Sequence, residues 1–349
     1  MVGIALEGGG AKGSYQVGAI IALLNNGIKP HMVAGTSIGS VNAALVVQGD
    51  IDVMVNVWLN STTDLFGIDS NLINKYKDHK FKYTDLKKSI SDIKEILNNK
   101  GIDTTKILHT LNEHINEDKI RKSKIKYGLV TVKLKGLSPL ELSIDEIPKG
   151  KLSEYILASC YLPIFSFKKI IDDNYYLDGG FYNNLPITLL EKNGCNKIYT
   201  IKVGGIGFNQ KKTSPDTEII EIKPKSSLGS IIIFDRDSNI RNMKTGYYDA
   251  LKAVKNLDGY SYYFYEKNNF YYNRMIRIID KDILNKLKSR FNVQSNKALV
   301  IKVVEYLMKK NKIDNLELYN IKKQIRYLKK HNLVTKGLLK EFIYSCKMF

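Results

Sequence analysis

The sequence predicts an α/β protein with a mainly parallel central sheet, followed by a basic helical C-terminal segment. Two observations carry that reading. Short apolar runs alternate with stretches of helical period from the first residues onward, joined by brief glycine-rich turns. From Lys281 to the end, 17 Lys and Arg stand against 5 Asp and Glu, a net +12 out of the chain's +19.

The elements follow in order. Val2–Leu6 (VGIAL) is an apolar run stopped by glycines, which reads as a buried strand. Gly13–Asn25 places Val17, Ile20, Ile21 and Leu24 at helical spacing and ends at Asn26-Gly27, a helix C-cap. His31–Ala34 is a second strand, and Ile38–Gln48 a second helix, small on one side (Gly39, Ser40, Ala43, Ala44). Strand, turn and helix repeated in this way form a parallel sheet covered on both faces. Residues 60–125 are polar and helical in pattern, a cap or insertion over the sheet edge. Tyr127–Leu134 returns to strand, Leu152–Ser159 to helix, and Pro163 stops any continuation. The Asp173-Asn174 turn precedes Tyr175–Leu177 and then Asp178-Gly179-Gly180. Lys197–Val203 and Ile219–Ile222 are strands, and Ser238–Leu257 is a helix. Tyr260–Tyr272 is dense in Tyr and Phe, and a basic helical pattern begins at Asp280. The predicted division is a domain over residues 1–258 and an aromatic, then basic, region over 259–349. With no repeat and no low-complexity linker, the tail is expected to pack on the core.

Composition narrows the classes. The chain has 349 residues, 44% of them hydrophobic, ample for a buried core. Cys160, Cys195 and Cys346 are odd in number and widely spaced, which argues against a disulfide framework or a cysteine zinc site. The start, MVGIALEGGG, lacks the basic and apolar regions of a secretory signal, and no run approaches the ~20 apolar residues of a membrane span. A soluble cytoplasmic protein, peripheral at membranes, is expected. The concentrated positive charge suits an anionic partner, either nucleic acid or an acidic membrane surface. A lysine-rich composition with solvated helix faces accounts for it equally well.

Three motifs carry chemistry. Gly8-Gly9-Gly10-Ala11-Lys12-Gly13 fits G-x-G-x-x-G between a strand and a helix. A dinucleotide fold would place a carboxylate at the end of the second strand, where Ala34-Gly35-Thr36-Ser37 stands instead. A phosphate-binding loop needs Gly-Lys followed by Ser or Thr, but Lys12 precedes Gly13. An oxyanion cradle of backbone N–H groups and a plain tight turn both stay open. Gly35-Thr36-Ser37-Ile38-Gly39 is G-x-S-x-G, whose glycines permit the cramped strand-to-helix turn that projects a serine hydroxyl.

Ordinary α/β-hydrolases place several strands before that serine and follow it with an acid and then a histidine. Here one strand precedes Ser37, and beyond Asp178 only His331 remains, within a basic helical run. His31, His79, His109 and His114 read as surface or packing residues. A base other than histidine is needed, and Asp178, on a turn made by Gly179 and Gly180, is the candidate. An Asp-Gly turn alone is commonplace; the three motifs in this order are not.

As a set, the glycine loop, G-x-S-x-G and D-G-G resemble the patatin-like phospholipases over about Val2–Pro186. The Gly101–Thr105 stretch and the Ala158–Pro163 run (ASCYLP) look like further family segments, with the core motifs within 4–190. The resemblance implies a three-layer α/β/α sandwich and a Ser–Asp dyad that cleaves carboxylic esters of phospholipids or lysophospholipids. It implies Ser37 as nucleophile, Asp178 as base, and an oxyanion held by amides among Gly8, Gly9 and Gly10, through an acyl-enzyme. Lys12 falls where the family carries Arg or Lys, with steadying the loop or meeting a lipid phosphate both open to it. No metal or cofactor is implied. Rival readings are a transacylase on the same dyad, a silent hydrolase fold, and a nucleic-acid module using the basic tail and the Tyr260–Tyr272 aromatics. The last leaves the ordered motifs unexplained. The sequence carries no signal of oligomeric state.

Overall fold

The first sixty residues fold as their alternation of apolar run and helical period requires. β1 (Val2–Leu6) leads through a 3-10 turn, Gly10–Gly13, into α1 (Ser14–Asn25). β2 (Met32–Thr36) passes through Ser37 directly into α2 (Ile38–Val47), and α3 (Ile51–Asn60) follows. The structure, a computed structural model, describes residues 1–63, 101–334 and 336–347. Of the cap expected at 60–125, residues 64–100 lie outside the described residues. Its later part includes α4 (Thr105–His114) and α5 (Glu117–Lys122).

The chain continues through β3 (Lys126–Lys133), β4 (Ser138–Ser143), α6 (Leu152–Ser159), β5 (Tyr176–Asp178) and α7 (Ile187–Lys192). Then come β6 (Lys197–Ile201), β7 (Glu218–Ile222) and α8 (Arg236–Lys255). Seven strands form one sheet in the order β4-β3-β2-β1-β6-β7, with β5 also paired to β3. β1, β2, β3, β6 and β7 are parallel, while β4 and β5 run antiparallel to β3.

Side-chain alternation sends successive residues to opposite faces. Ala5, Met32 and Ala34 turn to one face, where Leu185, Leu189 and Leu190 at and around α7 cover them. α2 covers the other. There Gly39 rests on the Leu6 carbonyl and the buried Tyr127 hydroxyl donates to the Ser40 carbonyl at 3.1 Å. The result is three layers, α/β/α.

The register of β3 matters most for function. One edge is taken by β4. The other is shared: β2 pairs with its first part, up to Thr36 opposite Val130, and β5 with its end, from Asp178 opposite Thr131. Because β2 is parallel and β5 antiparallel to β3, their C-terminal ends meet head to head.

The chain forms two compact units, Met1–Ala250 and Leu251–Phe349. The boundary between them falls inside α8. The second unit comprises β8 (Tyr263–Phe264), α9 (Asn269–Ile276), α10 (Lys281–Phe291), α11 (Asn296–Lys310), β9 (Leu318–Tyr319), α12 (Ile321–Lys330) and α13 (Leu338–Ser345). It has its own core, including Phe264, Tyr272, Val303, Leu307, Ile325, Leu328 and Phe342. Among the aromatics of 260–272, Tyr262, Tyr263, Phe264 and Tyr272 are buried, while Tyr260, Tyr265 and Phe270 are exposed. No helix among the described residues is long and apolar enough to cross a membrane.

Candidate active site

Ser37 sits where β2 ends and α2 begins, with φ +54°, a conformation L-residues adopt only at a cost of ~1–3 kcal/mol. Three hydrogen bonds hold it there. Its N–H donates to Ser159 Oγ at 3.0 Å, and its carbonyl accepts from the Ser40 N–H at 2.7 Å and Ser40 Oγ at 2.6 Å. The turn closes only because Gly35 and Gly39 lack side chains: a Cβ on Gly35 would lie 2.1 Å from the Gly39 carbonyl carbon and oxygen. Ser37 therefore stands half-buried over the N-terminus of α2, whose dipole favours negative charge.

Asp178 arrives from the opposite direction at the end of β5. It is 3% exposed, and its N–H is anchored to the Tyr161 carbonyl at 2.8 Å. Oδ1 accepts from the Gly180 N–H at 2.7 Å, while Oδ2 is buried with no hydrogen-bond partner. Burial raises its pKa from 3.8 to about 6, and the Ser37 hydroxyl and the Gly180 N–H pull it back down. The Ser37 hydroxyl thus bears on the carboxylate without being locked to it by a hydrogen bond of full geometry. Gly179 presses on the Val130 carbonyl, and Gly180 lies against Asn184.

The glycine loop closes the third side. Gly8 approaches so near that a Cβ on it would sit 3.1 Å from Ser37 Cβ and 2.3 Å from Asn184 Oδ1. Its N–H, expected among the oxyanion donors, is engaged instead by the Asn184 carbonyl at 3.0 Å, and Asn184 Nδ2 returns a bond to the Gly8 carbonyl at 3.1 Å. The N–H groups of Gly9 and Gly10 have no acceptor among the described residues. Gly10, at φ +56°, lies on the Ile231 carbonyl; Gly9 packs on Val203, and Gly13 on Trp58 and Ile38. Lys12 points to the loop's flank, its ammonium donating to the Gly204 carbonyl at 2.8 Å.

The sequence profile of the family Patatin-like phospholipase matches residues 4–190, more than half of the chain. The chain belongs to the patatin-like phospholipase family. It is 28% identical over 213 residues to the patatin-like phospholipase domain-containing protein ZK370.4 of Caenorhabditis elegans, covering 59% of this chain and 14% of that protein. It is also 28% identical over 209 residues to lysophospholipase NTE1 of Kluyveromyces lactis, covering 59% of this chain and 13% of that protein. The chain thus spans a small part of the length of these relatives. The crystal structure of VipD from Legionella pneumophila is similar at 15% identity and a TM-score of 0.43, over 97% of this chain and 82% of that one, a likeness too low to bear on activity.

Within the first unit, neither His31 nor His109 is bonded to Ser37 or Asp178. His31 precedes β2 at the strand end remote from Ser37, about 20 Å off at strand rise, and its Nδ1 accepts from the Val2 N–H. His109 pairs with Glu113 on exposed α4, and His331 lies against the Tyr327 ring, tilted by 43°, in the second unit. His79 lies outside the described residues. Among the described residues no cluster of His, Cys, Asp and Glu could hold a metal ion. Cys160, beside Ser37, Ser40 and Asp178, has its thiol pushed up by burial and stays protonated.

Ser159, Asn184 and Glu7 were invisible to motif reading. Ser159 is fully buried, and its hydroxyl passes a bond on to the Val130 carbonyl at 2.6 Å while accepting the Ser37 N–H. The available signals were adjacency alone: Ser159 lies inside ASCYLP, Asn184 shortly after D-G-G, and Glu7 directly before the glycine loop.

Proposed function

We propose that this chain is a lipid acyl hydrolase of the phospholipase A or lysophospholipase type, with Ser37 as nucleophile and Asp178 as general base. The observation that supports it most is the head-to-head meeting of β2 and β5 on one edge of β3, which sets a strained serine against a buried aspartate with a free oxygen. Ser37 Oγ adds to the ester carbonyl as its proton passes to Asp178. The tetrahedral intermediate collapses with that proton going to the leaving alkoxide, which leaves an acyl-serine and an alcohol. Water, giving a proton to Asp178, then attacks the acyl carbon; the acyl–Oγ bond breaks, the proton returns to Ser37 Oγ and the fatty acid leaves. A carboxylate with pKa about 6 is a stronger base than a free aspartate near ~3.9. The N–H groups of Gly9 and Gly10, with the α2 N-terminus, suit the oxyanion, where one donor is worth ~3–4 kcal/mol. The scheme balances without metal or cofactor.

The name lysophospholipase borne by NTE1 supports the substrate class. The basic second unit supports a peripheral position on anionic membranes: on α12, Ile321, Ile325 and Leu328 are buried while Lys323, Arg326 and Lys330 face solvent. Lys329 is not free for such contact, since it donates to the carbonyls of Tyr344 and Cys346. The test is mass spectrometry of products from a mixed phospholipid and lysophospholipid pool, with Ser37→Ala as control. Free fatty acid released by the wild type alone is expected. Equal release by Ser37→Ala would sink the assignment.

A further inference from the structure

The segment Val203–Phe208, which follows β6, is braced by hydrogen bonds from several sides. Glu7, 4% exposed, accepts with one carboxylate oxygen from the N–H groups of Val203, Gly204 and Gly205 at 2.6, 2.9 and 3.2 Å. Lys12 holds the Gly204 carbonyl. Farther on, the Phe208 N–H donates to the Gly180 carbonyl at 2.9 Å, and its carbonyl accepts from the Asn184 N–H at 2.5 Å. Gly205 lies directly on the Gly8 carbonyl. Two charged side chains flanking the glycine loop, together with the turn after Asp178, fix six residues in place. Burying a carboxylate is costly unless its bonds are satisfied, so Glu7 is committed to this one task.

What the bracing presents is apolar. Ile206 is 38% exposed and Phe208 40% exposed, and the glycines beside them offer no side chains to shield them. Lys211 follows, exposed, in a chain of net charge +19. Scattered exposed apolar residues are ordinary. Two on one rigid turn, bonded to both loops that flank Ser37 and followed by a cation, form a surface made for contact. We propose that this turn is an interfacial docking loop. Ile206 and Phe208 enter the acyl layer of an anionic lipid aggregate, Lys211 meets its phosphates, and the mouth of the site is set against the lipid surface. The inference rests on the lipid-hydrolase reading and adds the means by which the enzyme meets aggregated substrate.

The test compares full-length wild type with Ile206→Ser/Phe208→Ser. Rates are measured on a monomeric short-chain p-nitrophenyl ester and on phosphatidylcholine vesicles with and without phosphatidylglycerol. Vesicle co-sedimentation is measured in the Ser37→Ala background, where no turnover intrudes. The double variant is expected to keep its soluble-ester rate within about twofold. Its vesicle rate and affinity should fall about tenfold to hundredfold, as befits two apolar side chains withdrawn from lipid. An equal fall on the soluble ester would make the turn a part of the chemistry or fold, and unchanged vesicle affinity would make its apolar tip idle; either overturns the proposal. Should wild type hydrolyse no ester at all, the hydrolase reading fails while co-sedimentation still decides the loop.

Discussion

Two buried carboxylates, one in each compact unit, are held in opposite ways. Glu305 in the basic unit is 6% exposed, and its Oε1 takes the N–H groups of Tyr260, Ser261 and Tyr262 at 2.6, 2.9 and 3.0 Å. Asp178 takes a single backbone N–H and keeps one oxygen without a partner. A carboxylate oxygen that takes three backbone N–H groups holds a loop in place. A carboxylate stripped of donors is destabilised as an anion and ready to accept a proton. On the proposed mechanism, the first carboxylate holds structure and the second takes part in the chemistry.

Exchanging the charge at Asp178 is the strongest way to break the comparison. Asp178→Asn is expected to reduce turnover about a thousandfold or more, as loss of a general base acting with its nucleophile does. The same change should stabilise the fold. Because the folded pKa lies above the unfolded one, the Asp178 contribution is fully present below about pH 4 and lost as pH rises through about 6. Removing the charge recovers at most about 3 kcal/mol at neutral pH. Denaturant melts at pH 5 and 7.5 would show it, and a less stable variant would contradict the strain assigned here. Glu305→Ala should do the reverse. It strands three backbone N–H groups, that of buried Tyr262 among them, and costs about 1–3 kcal/mol, with the soluble-ester rate of still-folded protein retained. Loss of that rate without loss of stability would erase the contrast.

A smaller effect is expected at Ser159. Ser159→Ala leaves the strained Ser37 N–H without its acceptor and should lower kcat about tenfold with KM unchanged, a loss of ~1–2 kcal/mol. A matching rise in KM would mean that Ser159 shapes the substrate pocket instead. The smallest effect lies in the basic unit. Changing Lys322, Lys323, Arg326 and Lys330 to Gln, with Lys329 kept because it is bonded within the unit, should weaken binding to anionic vesicles and flatten its salt dependence, each exposed charge being worth ~1 kcal/mol. Soluble-ester turnover should not move. An unchanged salt slope would reduce α12 to a solvated face.

The fold was legible where local pattern and long-range order agree. Val2–Leu6 and Leu152–Ser159 appear at the bounds their patterns suggest, and the Gly35–Gly39 turn was legible because its constraint acts within five residues. The meeting of Ser37 with Asp178 depends on the shared edge of β3, which no local pattern encodes, so only the motif order pointed to it. Ser159 and Asn184 were not legible, since a buried serine or asparagine gains its meaning from a partner more than a hundred residues away. The bond from the Gly8 N–H to the Asn184 carbonyl is likewise a tertiary contact that no local pattern encodes. Glu7 carries no motif, yet it fixes the turn from Val203 to Gly205.

The dyad itself is tested most directly by acylation. Wild type, Asp178→Asn and a variant with all five histidines replaced would be reacted with a fluorophosphonate across pH, and the adduct located by peptide mass spectrometry. Modification of Ser37 is expected in wild type and in the histidine variant, rising with pH to half its maximum near 6, and nearly absent in Asp178→Asn. An adduct that persists at Ser37 in Asp178→Asn, or that vanishes from a folded histidine variant, would show that Asp178 is not the base.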